Sequence, residues 1–264
     1  LLRKSLEKII AATKQLRTDQ GRSPSTALTT NGLGLEKRAG ALAAAGLDRI
    51  NISLDTIDRE RYAALTRRDR LDHVLQAIAA ADAAGLHPIK INAVVMPGVN
   101  EEDIVPLADY AVHHGAQLRF IEQMPLGPRE QWRREDMVTA EDILARLRTH
   151  FSMEPAREPR GSAPATLWEV SAPDGTRGTL GIIASVTHPF CGDCDRTRLT
   201  TDGAIRNCLF GNSETPLRDL LRSGASDEDI MEAWAGEMWT KKPGHGIDDE
   251  DFLQPDRPMS AIGG

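Results

Sequence analysis

The feature that most constrains the fold is an alternation of strand-like and helix-like segments over residues 1–127. The strand patterns recur at intervals of roughly 35 residues, and each ends at a turn signal such as Asn31-Gly32 or Pro97-Gly98. Such alternation predicts a parallel sheet with crossover helices, so residues 1–127 are expected to form an α/β domain. The strand patterns occupy residues 26–31, 49–54, 89–96 and 118–124.

Local signals mark where the helices between these strands begin and end. Ser5 and Asn100 are expected as N-caps of two helices, because short polar side chains accept hydrogen bonds from free backbone N–H groups. Gly46, Gly85 and Gly115 are expected to end three helices.

Polar residues lie toward the carboxyl ends of the predicted strands, where parallel sheets gather ligands. Lys90 and Arg119 are the most informative, because a charge inside an apolar strand is costly unless it is paired. They are expected either to bind substrate or to form structural ion pairs with Glu122 or Asp55. The full set is Thr29, Thr30, Asn31, Asn51, Ser53, Asp55, Lys90, Asn92, Arg119 and Glu122.

Residues 128–264 show a different pattern and are expected to form a second domain. A proline- and glycine-rich connector at 155–164 places the boundary between about 128 and 165. Two β-rich segments flank Asp174-Gly175, which is typical of an antiparallel hairpin. Helices are expected after Thr139 and after Ser226.

All three cysteines of the chain, Cys191, Cys194 and Cys208, lie in one run of 18 residues. Three thiolates suit zinc or an iron–sulfur cluster, and three ligands leave one metal position open for a substrate. A zinc site would need a fourth donor, for which His188 is the local candidate. A Cys191–Cys194 disulfide is the alternative, and it would leave Cys208 unpaired.

Two arginines follow these cysteines, although the net charge of the whole chain is −7. On an extended backbone the side chains of Arg196 and Arg198 point in the same direction. They are expected either to bind an anionic ligand or to form a solvent-exposed basic edge. The net charge argues against a nucleic-acid partner. No segment approaches the roughly 18 consecutive apolar residues of a membrane span. Clustered thiols without a visible signal peptide favour the cytoplasm.

Six motifs, taken in order, resemble the GTP 3′,8-cyclase family of radical S-adenosylmethionine enzymes. The resemblance covers essentially the whole chain, and the cysteine run with its Arg-x-Arg is the most specific motif. The six are Thr-Thr-Asn-Gly (29–32), Asn-Ile-Ser-Leu-Asp-Thr (51–56), Lys-Ile-Asn-Ala-Val-Val-Met (90–96), Arg-Phe-Ile-Glu-Gln-Met-Pro-Leu-Gly (119–127), Pro-Phe-Cys-Gly-Asp-Cys-Asp-Arg-Thr-Arg-Leu-Thr (189–200) and the terminal Gly-Gly.

The resemblance implies an α/β fold in two parts. Residues 1–127 would be the C-terminal portion of an incomplete (βα)6 radical-SAM barrel, and residues 128–264 a small α+β domain carrying a second iron–sulfur cluster. In the family, a radical derived from S-adenosylmethionine abstracts a hydrogen from the ribose of GTP. The implied product is (8S)-3′,8-cyclo-7,8-dihydroguanosine 5′-triphosphate, made in the first step of molybdenum cofactor biosynthesis. The implied partners are GTP, a second copy in a homodimer, and cyclic pyranopterin monophosphate synthase as recipient of the product.

Roles are carried over by position. Arg119 matches a basic residue of the family's active site, and the terminal glycines match a tail that reaches into that site. The ligands implied for the C-terminal [4Fe–4S] cluster are Cys191, Cys194 and Cys208; the GTP contacts are Thr29, Lys90, Arg196, Thr197 and Arg198; the S-adenosylmethionine contacts are Ser53 and Met124; and the tail residues are Gly263 and Gly264.

One departure from the family pattern is large. The C-x3-C-x2-C motif that ligates the family's N-terminal cluster is absent, and the chain opens at Leu1-Leu2-Arg3. The sequence is therefore expected to lack the N-terminal part of the enzyme and to be inactive alone. Two other classes stay open: a zinc-binding interaction module that uses His188, and a peptide-modifying radical enzyme. The Arg-x-Arg pair and the terminal Gly-Gly argue against the second of these.

Overall fold

The protein is represented by a computed structural model that describes residues 3–126, 132–249, 252–255, 257 and 259–262. Contacts divide the chain into two units. Unit 1 comprises Leu1–Glu122, Val138–Pro159 and Ala165–Ile183, and unit 2 comprises Gln123–Met137, Arg160–Pro164 and Ala184–Gly264.

Unit 1 is built on a mixed sheet of seven strands in the order β1-β2-β3-β4-β7-β6-β5. Strands β1 to β4 and β7 run parallel, whereas β6 pairs antiparallel with both of its neighbours. The parallel sheet with crossover helices expected from the sequence is thus confirmed. The strands are β1 (Ala27–Thr30), β2 (Arg49–Ser53), β3 (Ile89–Val95), β4 (Gln117–Glu122), β5 (Ser152–Pro155), β6 (Thr166–Ser171) and β7 (Arg177–Ile183).

Helices cover the face of this sheet that carries its apolar side chains. In β3 the residues Ile89, Ile91, Ala93 and Val95 are buried, and the alternate residues are only half-buried. Helices α4 and α5 pack against the sheet through buried aliphatic side chains. The helices are α1 (Leu6–Gln15), α2 (Ala39–Ala44), α3 (Arg59–Thr66), α4 (Leu71–Ala83), α5 (Ile104–His113) and α6 (Ala140–Arg148).

The expected hairpin forms as β6 and β7, but it belongs to the large sheet. Strand β7 pairs in parallel with β4, from Leu118 opposite Leu180 to Ile121 opposite Ile183. The sequence predicted two domains, 1–127 and 128–264, whereas the hairpin groups with unit 1. The reason is that its backbone hydrogen bonds to β4 attach it to the large sheet. That division and the incomplete (βα)6 barrel remain predictions.

Asn100 does not cap a helix with its side chain, contrary to expectation. Its Oδ1 accepts from Met96 N at 2.8 Å, and its Nδ2 donates to Val94 O at 2.9 Å and Asp55 O at 3.0 Å. This buried amide therefore ties the ends of β2 and β3 together. Ser5 likewise makes no side-chain cap hydrogen bond.

Thr139 and Ser226 do cap helices, as expected. The Thr139 side chain accepts a hydrogen bond from the backbone N–H of Asp142, and the Ser226 side chain accepts one from the backbone N–H of Asp229. In return, each aspartate carboxylate accepts a hydrogen bond from the backbone N–H of the cap residue. Both helices thus begin with a reciprocal capping box.

Unit 2 contains a short hairpin and two helices. These are β8 (Arg198–Leu199), β9 (Ile205–Arg206), α7 (Leu217–Ser223) and α8 (Asp227–Trp239). A 3₁₀ turn spans Cys191–Asp193. Among the helices in the described part of the chain, none combines the length and hydropathy needed to span a membrane.

Candidate active site

One face of the sheet in unit 1 carries a polar surface made by two rows of neighbouring residues. In the first row, Thr29, Asn51, Lys90 and Gln117 lie side by side on β1 to β4. Asn51 Nδ2 donates to Thr29 Oγ1 at 3.2 Å. This row brings together two residues expected to contact substrate, Thr29 and Lys90.

The second row of the same face lies one step toward the carboxyl ends of the strands. It consists of Ser53, Asn92, Arg119 and Gly181 on β2, β3, β4 and β7. The Oδ1 atom of Asn92 is buried and has no hydrogen-bond partner among the described residues. A buried acceptor without a partner is rare, which makes Asn92 a candidate to accept a hydrogen bond from a bound ligand.

Positive charge is concentrated on this face. Burial lowers the pKa of Lys90 to about 8, with further lowering from the charges of Arg119 and Arg49. Burial, and then the charge of Arg49, also lowers the pKa of Arg119. Cations that are partly desolvated and close to one another form a surface suited to an anionic ligand.

The structural ion pairs considered for Lys90 and Arg119 do not form. In the part of the chain that the structure describes, neither side chain has a carboxylate within salt-bridge distance. Glu122 lies on the opposite, helix-covered face, where its Oε1 accepts from Ala140 N at 2.8 Å at the start of α6. Asp55 accepts from Val94 N at 2.8 Å, and burial raises its pKa.

Gly181 makes room for the Arg119 side chain. A Cβ atom at this position would lie 3.1 Å from Arg119 Cγ, 3.2 Å from Leu167 Cδ2 and 3.3 Å from Ala165 Cβ. Such contacts are tighter than ordinary van der Waals separations, so any larger residue must displace a neighbour. Glycine at this point of β7 therefore sets the path of Arg119.

The remaining residues expected at the active site are placed as follows. Ser53 is exposed at the end of β2, and Met124 is half-buried in unit 2, two residues beyond β4. Gly263 and Gly264 lie outside the described residues.

The three cysteines lie in unit 2 as free thiols, so the Cys191–Cys194 disulfide is absent. All three are half-buried. Burial raises the pKa of Cys191, and the neighbouring Cys208 and Cys194 add to the rise. The thiols are therefore close enough to interact electrostatically.

Hydrogen-bond donors surround two of the sulfur atoms. Burial acts against ionisation of Cys194, but the Arg196 backbone N–H and the charges of Lys241 and Arg196 outweigh it and lower the pKa. The backbone N–H of His245 acts to lower the pKa of Cys191, although burial and the other two cysteines outweigh it. Donors and cations around thiols favour the thiolate form that binds metals.

Arg196 and Arg198 both lie beside the cysteines. The Arg196 guanidinium stacks over the Phe190 ring, 4.7 Å from its centroid, and donates to Ser162 O at 3.0 Å and Cys194 Sγ at 3.5 Å. Burial and the charge of Arg196 lower the pKa of Arg198, which Cys208 and Cys194 partly offset. The Thr197 hydroxyl instead donates to Met238 Sδ on α8.

The donor chemistry of this region fits an iron–sulfur cluster, although the side chains are not arranged around a common centre. Three free thiols in mutual electrostatic contact are the ligand set that such clusters use. Among the described residues, no group of three or more His, Cys, Asp or Glu side chains is arranged to hold a metal ion. His188, the fourth donor of the zinc alternative, is exposed.

Several residues of these sites were not singled out from the sequence. Arg49, Gly181, Lys241 and His245 act on partners that are distant in the chain, and no local motif marks them. For Lys241 and His245 the only sequence signal is their position in a segment without clear periodicity.

Two family models match the chain. The model of the Radical SAM superfamily matches residues 1–111, and the model described as Molybdenum Cofactor Synthesis C matches residues 116–247. Together with the mixed α/β sheet, these matches define the class: a radical S-adenosylmethionine enzyme of molybdenum cofactor biosynthesis. Enzymes of this class use [4Fe–4S] chemistry and S-adenosylmethionine.

Curated relatives narrow this class. A GTP 3′,8-cyclase of Corynebacterium glutamicum is 73% identical over 100% of this chain and 71% of its own length. GTP 3′,8-cyclase 2 of Mycobacterium tuberculosis is 58% identical over 100% of this chain and 72% of its own length. The chain belongs to the GTP 3′,8-cyclase family of lyases, as its motifs predicted.

Among solved structures, the Escherichia coli coproporphyrinogen III oxidase HemN, described as a radical SAM enzyme, matches with a TM-score of 0.43 at 9% identity. The match covers 69% of this chain and 56% of that chain.

Proposed function

We propose that the chain binds GTP and a three-cysteine [4Fe–4S] cluster for the radical cyclisation of GTP to (8S)-3′,8-cyclo-7,8-dihydroguanosine 5′-triphosphate. The observation that carries the proposal is the proximity of three free, half-buried thiols to the guanidiniums of Arg196 and Arg198. When bound, the cluster offers an open iron position to the nucleotide, and S-adenosylmethionine supplies the radical.

The arginines would bind and orient the nucleotide. Guanidinium groups form paired hydrogen bonds with phosphate oxygens or with planar acceptors. Stacking on Phe190 and the bond to Ser162 O fix Arg196 in advance, which reduces the entropy lost on binding. Thr197 would contact the nucleotide through its backbone, since its hydroxyl is engaged with Met238.

The polar face of unit 1 would supply the other contacts. Lys90 and Thr29 are proposed to bind GTP, and Arg119 to stabilise negative charge in the active site. The uncompensated positive charge of Lys90 and Arg119 supports an anionic ligand here. Ser53 and Met124 are proposed to contact S-adenosylmethionine.

The 264-residue chain alone is proposed not to cleave S-adenosylmethionine. All of its cysteines are assigned to the cluster at residues 191–208, so none is left to ligate a second one. The role of Gly263 and Gly264 in radical chemistry, the homodimer, the transfer of product to cyclic pyranopterin monophosphate synthase and the cytoplasmic location remain predictions.

Nucleotide binding tests the proposal directly. Equilibrium dialysis of GTP against the anaerobically reconstituted chain should show that Arg198→Met binds about tenfold more weakly or worse, because a hydrogen bond to a charged group is lost. The matched control is Arg222→Met on the exposed side of α7, which should bind GTP like the parent. Equal affinities for the two variants would contradict the proposed GTP site.

A further inference from the structure

The end of helix α8 is the platform on which the two cysteine-bearing segments meet. Asn207, which precedes Cys208, donates through Nδ2 to Glu237 O at 2.7 Å and to Thr240 Oγ1 at 2.8 Å. Thr240 Oγ1 in turn donates to Glu237 O at 2.8 Å. Asn207 is buried, so these bonds fix the second cysteine segment against the helix.

Lys241 follows this helix and reaches both cysteine segments. Its Nζ donates to Arg196 O at 2.7 Å, 45 residues away, and to Asn207 O at 2.7 Å, 34 residues away. The same ammonium group lies close enough to Cys194 for its charge to lower the pKa of that thiol. Two of the three donors of this ammonium group are thus bound to backbone carbonyls, one in each cysteine segment.

The ordinary explanation for a lysine after a helix is that it neutralises the carbonyls at the helix end. That explanation does not fit, because the carbonyls bound by Lys241 belong to residues distant from α8. Carbonyls at the end of this helix instead accept hydrogen bonds from backbone N–H groups: Thr240 N donates to Glu237 O, and Lys241 N donates to Met238 O.

We propose that Lys241 is a positioning residue for the cluster site, which ties the Cys191–Cys194 segment to the Cys208 segment and places a positive charge beside the sulfur of Cys194. This inference rests on the proposed function, since it assumes that the three thiols ligate an iron–sulfur cluster. Reduction potentials of such clusters depend on net charge and on hydrogen bonds to the sulfur atoms. Residues that orient ligands in this way commonly alter metal affinity when they are changed.

His245, four residues later, completes the segment. Its backbone N–H acts to lower the pKa of Cys191, against the larger effect of burial. Its ring is held on both sides, with Nε2 3.0 Å from Ser185 O and Nδ1 accepting from Ile247 N at 3.1 Å. The segment Lys241–His245 therefore acts electrostatically on two of the three thiols. Its side chains are fixed before any cluster binds.

The test compares four proteins: the parent, Lys241→Met, Lys241→Arg and Lys242→Met. Methionine keeps the apolar length of the side chain and removes its charge and donors, whereas arginine keeps the charge. The neighbouring Lys242 is exposed and provides the matched control.

The first measurement is the midpoint potential of the reconstituted cluster, followed by its spectrum during a redox titration. Lys241→Met should lower the potential, because the added electron loses a stabilising charge. Lys241→Arg should shift it less, and Lys242→Met should leave it close to the parent value. An unchanged potential in Lys241→Met would overturn the electrostatic role, since a purely structural residue would not move it.

The second measurement needs no metal. Amide hydrogen exchange in the iron-free protein should become at least threefold faster in Lys241→Met for peptides spanning 194–198 and 206–209, and should stay unchanged in Lys242→Met. Unchanged exchange would overturn the tie between the two segments. A parent chain that binds zinc and no iron would overturn the proposed function and the cluster role together, while the exchange data would still show whether the tie exists.

Discussion

At the scale of single residues, the candidate site depends on cationic side chains that have no carboxylate partner among the described residues. Lys90 and Arg119 occupy strands whose alternate residues are buried and mostly apolar. Neither has a carboxylate partner in the described part of the chain, and Arg49 adds a third positive charge. Retaining such charges lowers stability, which is typical of groups kept for binding.

Lys90 gives the site a pH dependence. Its pKa of about 8 lies below the ordinary value of 10.5, so holding the proton costs folding free energy. That cost is full below pH 8 and is relieved as the pH rises from 8 toward 10.5, where the folded protein binds fewer protons than the unfolded chain. The affinity for an anionic ligand changes in the opposite direction and falls as the pH rises, because neutral Lys90 attracts phosphate less than charged Lys90 does.

We therefore expect the affinity for GTP to fall as the pH rises from 7.5 to 8.8. The control is Lys90→Arg, which keeps its charge throughout this range and also reports any titration of GTP itself. The measurement is equilibrium dialysis of GTP at four pH values. Parallel curves for the parent and Lys90→Arg would show that Lys90 does not titrate against the ligand.

Gly181 gives a prediction about packing around Arg119. Gly181→Ala should destabilise the protein by roughly 1–3 kcal/mol and weaken GTP binding, because the new methyl group displaces Arg119, Leu167 or Ala165. The control is Gly40→Ala in α2, where no atom lies within 4 Å of the added Cβ. Because alanine favours the helix more than glycine does, this change should stabilise the protein by about 0.5–1 kcal/mol. Urea unfolding measures the free energy of unfolding of both variants. Equal values for the two would show that Gly181 is not needed for packing around Arg119.

At the scale of elements, the sequence predicts best where periodicity and burial agree. Strand β3 alternates strictly between buried and half-buried residues, and its limits were predicted to within one residue. Helix α3 was missed because only Tyr62 is buried on it, so no apolar stripe marks it. Strand β5 was missed because its residues are exposed or half-buried at the end of the sheet.

Long-range partners limited prediction of the site in the same way. The cysteines and the Arg-x-Arg pair could be singled out as candidates because their chemistry is local in sequence. Lys241 was not found because its acceptors are 34 and 45 residues away. Glu122 was grouped with the polar strand ends, whereas alternation places it on the covered face beneath α6.

The C-terminal segment gives a prediction at this scale. Arg257 donates to both carboxylate oxygens of Asp202, at 3.2 Å and 2.7 Å, and lies 3.3 Å from Glu214, while Ile262 is fully buried. The same bonds hold the pKa of Asp202 well below its usual range. Arg257→Gln should therefore speed hydrogen exchange severalfold in peptides covering 252–262.

The pH trend of this anchor has a definite sign. Because the pKa of Asp202 is depressed, its stabilising contribution is present near neutral pH and is lost as acid protonates the carboxylate. At acidic pH, hydrogen exchange in peptides covering 252–262 of the parent should therefore become faster and approach the rate in Arg257→Gln. The exposed Arg222→Gln is the control, and equal exchange in the two variants would exclude the anchor.

At the scale of the whole molecule, each unit carries a different part of the proposed chemistry. Unit 1 presents the cationic sheet face, and unit 2 contains the three thiols with Arg196 and Arg198. We expect the reconstituted and reduced chain to bind GTP but to release no 5′-deoxyadenosine from S-adenosylmethionine. Liquid chromatography of the reaction mixture measures this, and release of 5′-deoxyadenosine that depends on the chain would contradict the assignment of its cysteines.

The central claim is that Cys191, Cys194 and Cys208 hold one iron–sulfur cluster. Its most direct test is a count of iron and sulfide per chain after anaerobic reconstitution, together with an absorption spectrum, for the parent and for Cys191→Ala. We predict about four irons and four sulfides in the parent, as a [4Fe–4S] cluster requires, and loss of both in the variant. One zinc per chain without iron would contradict the account and favour a zinc-binding module.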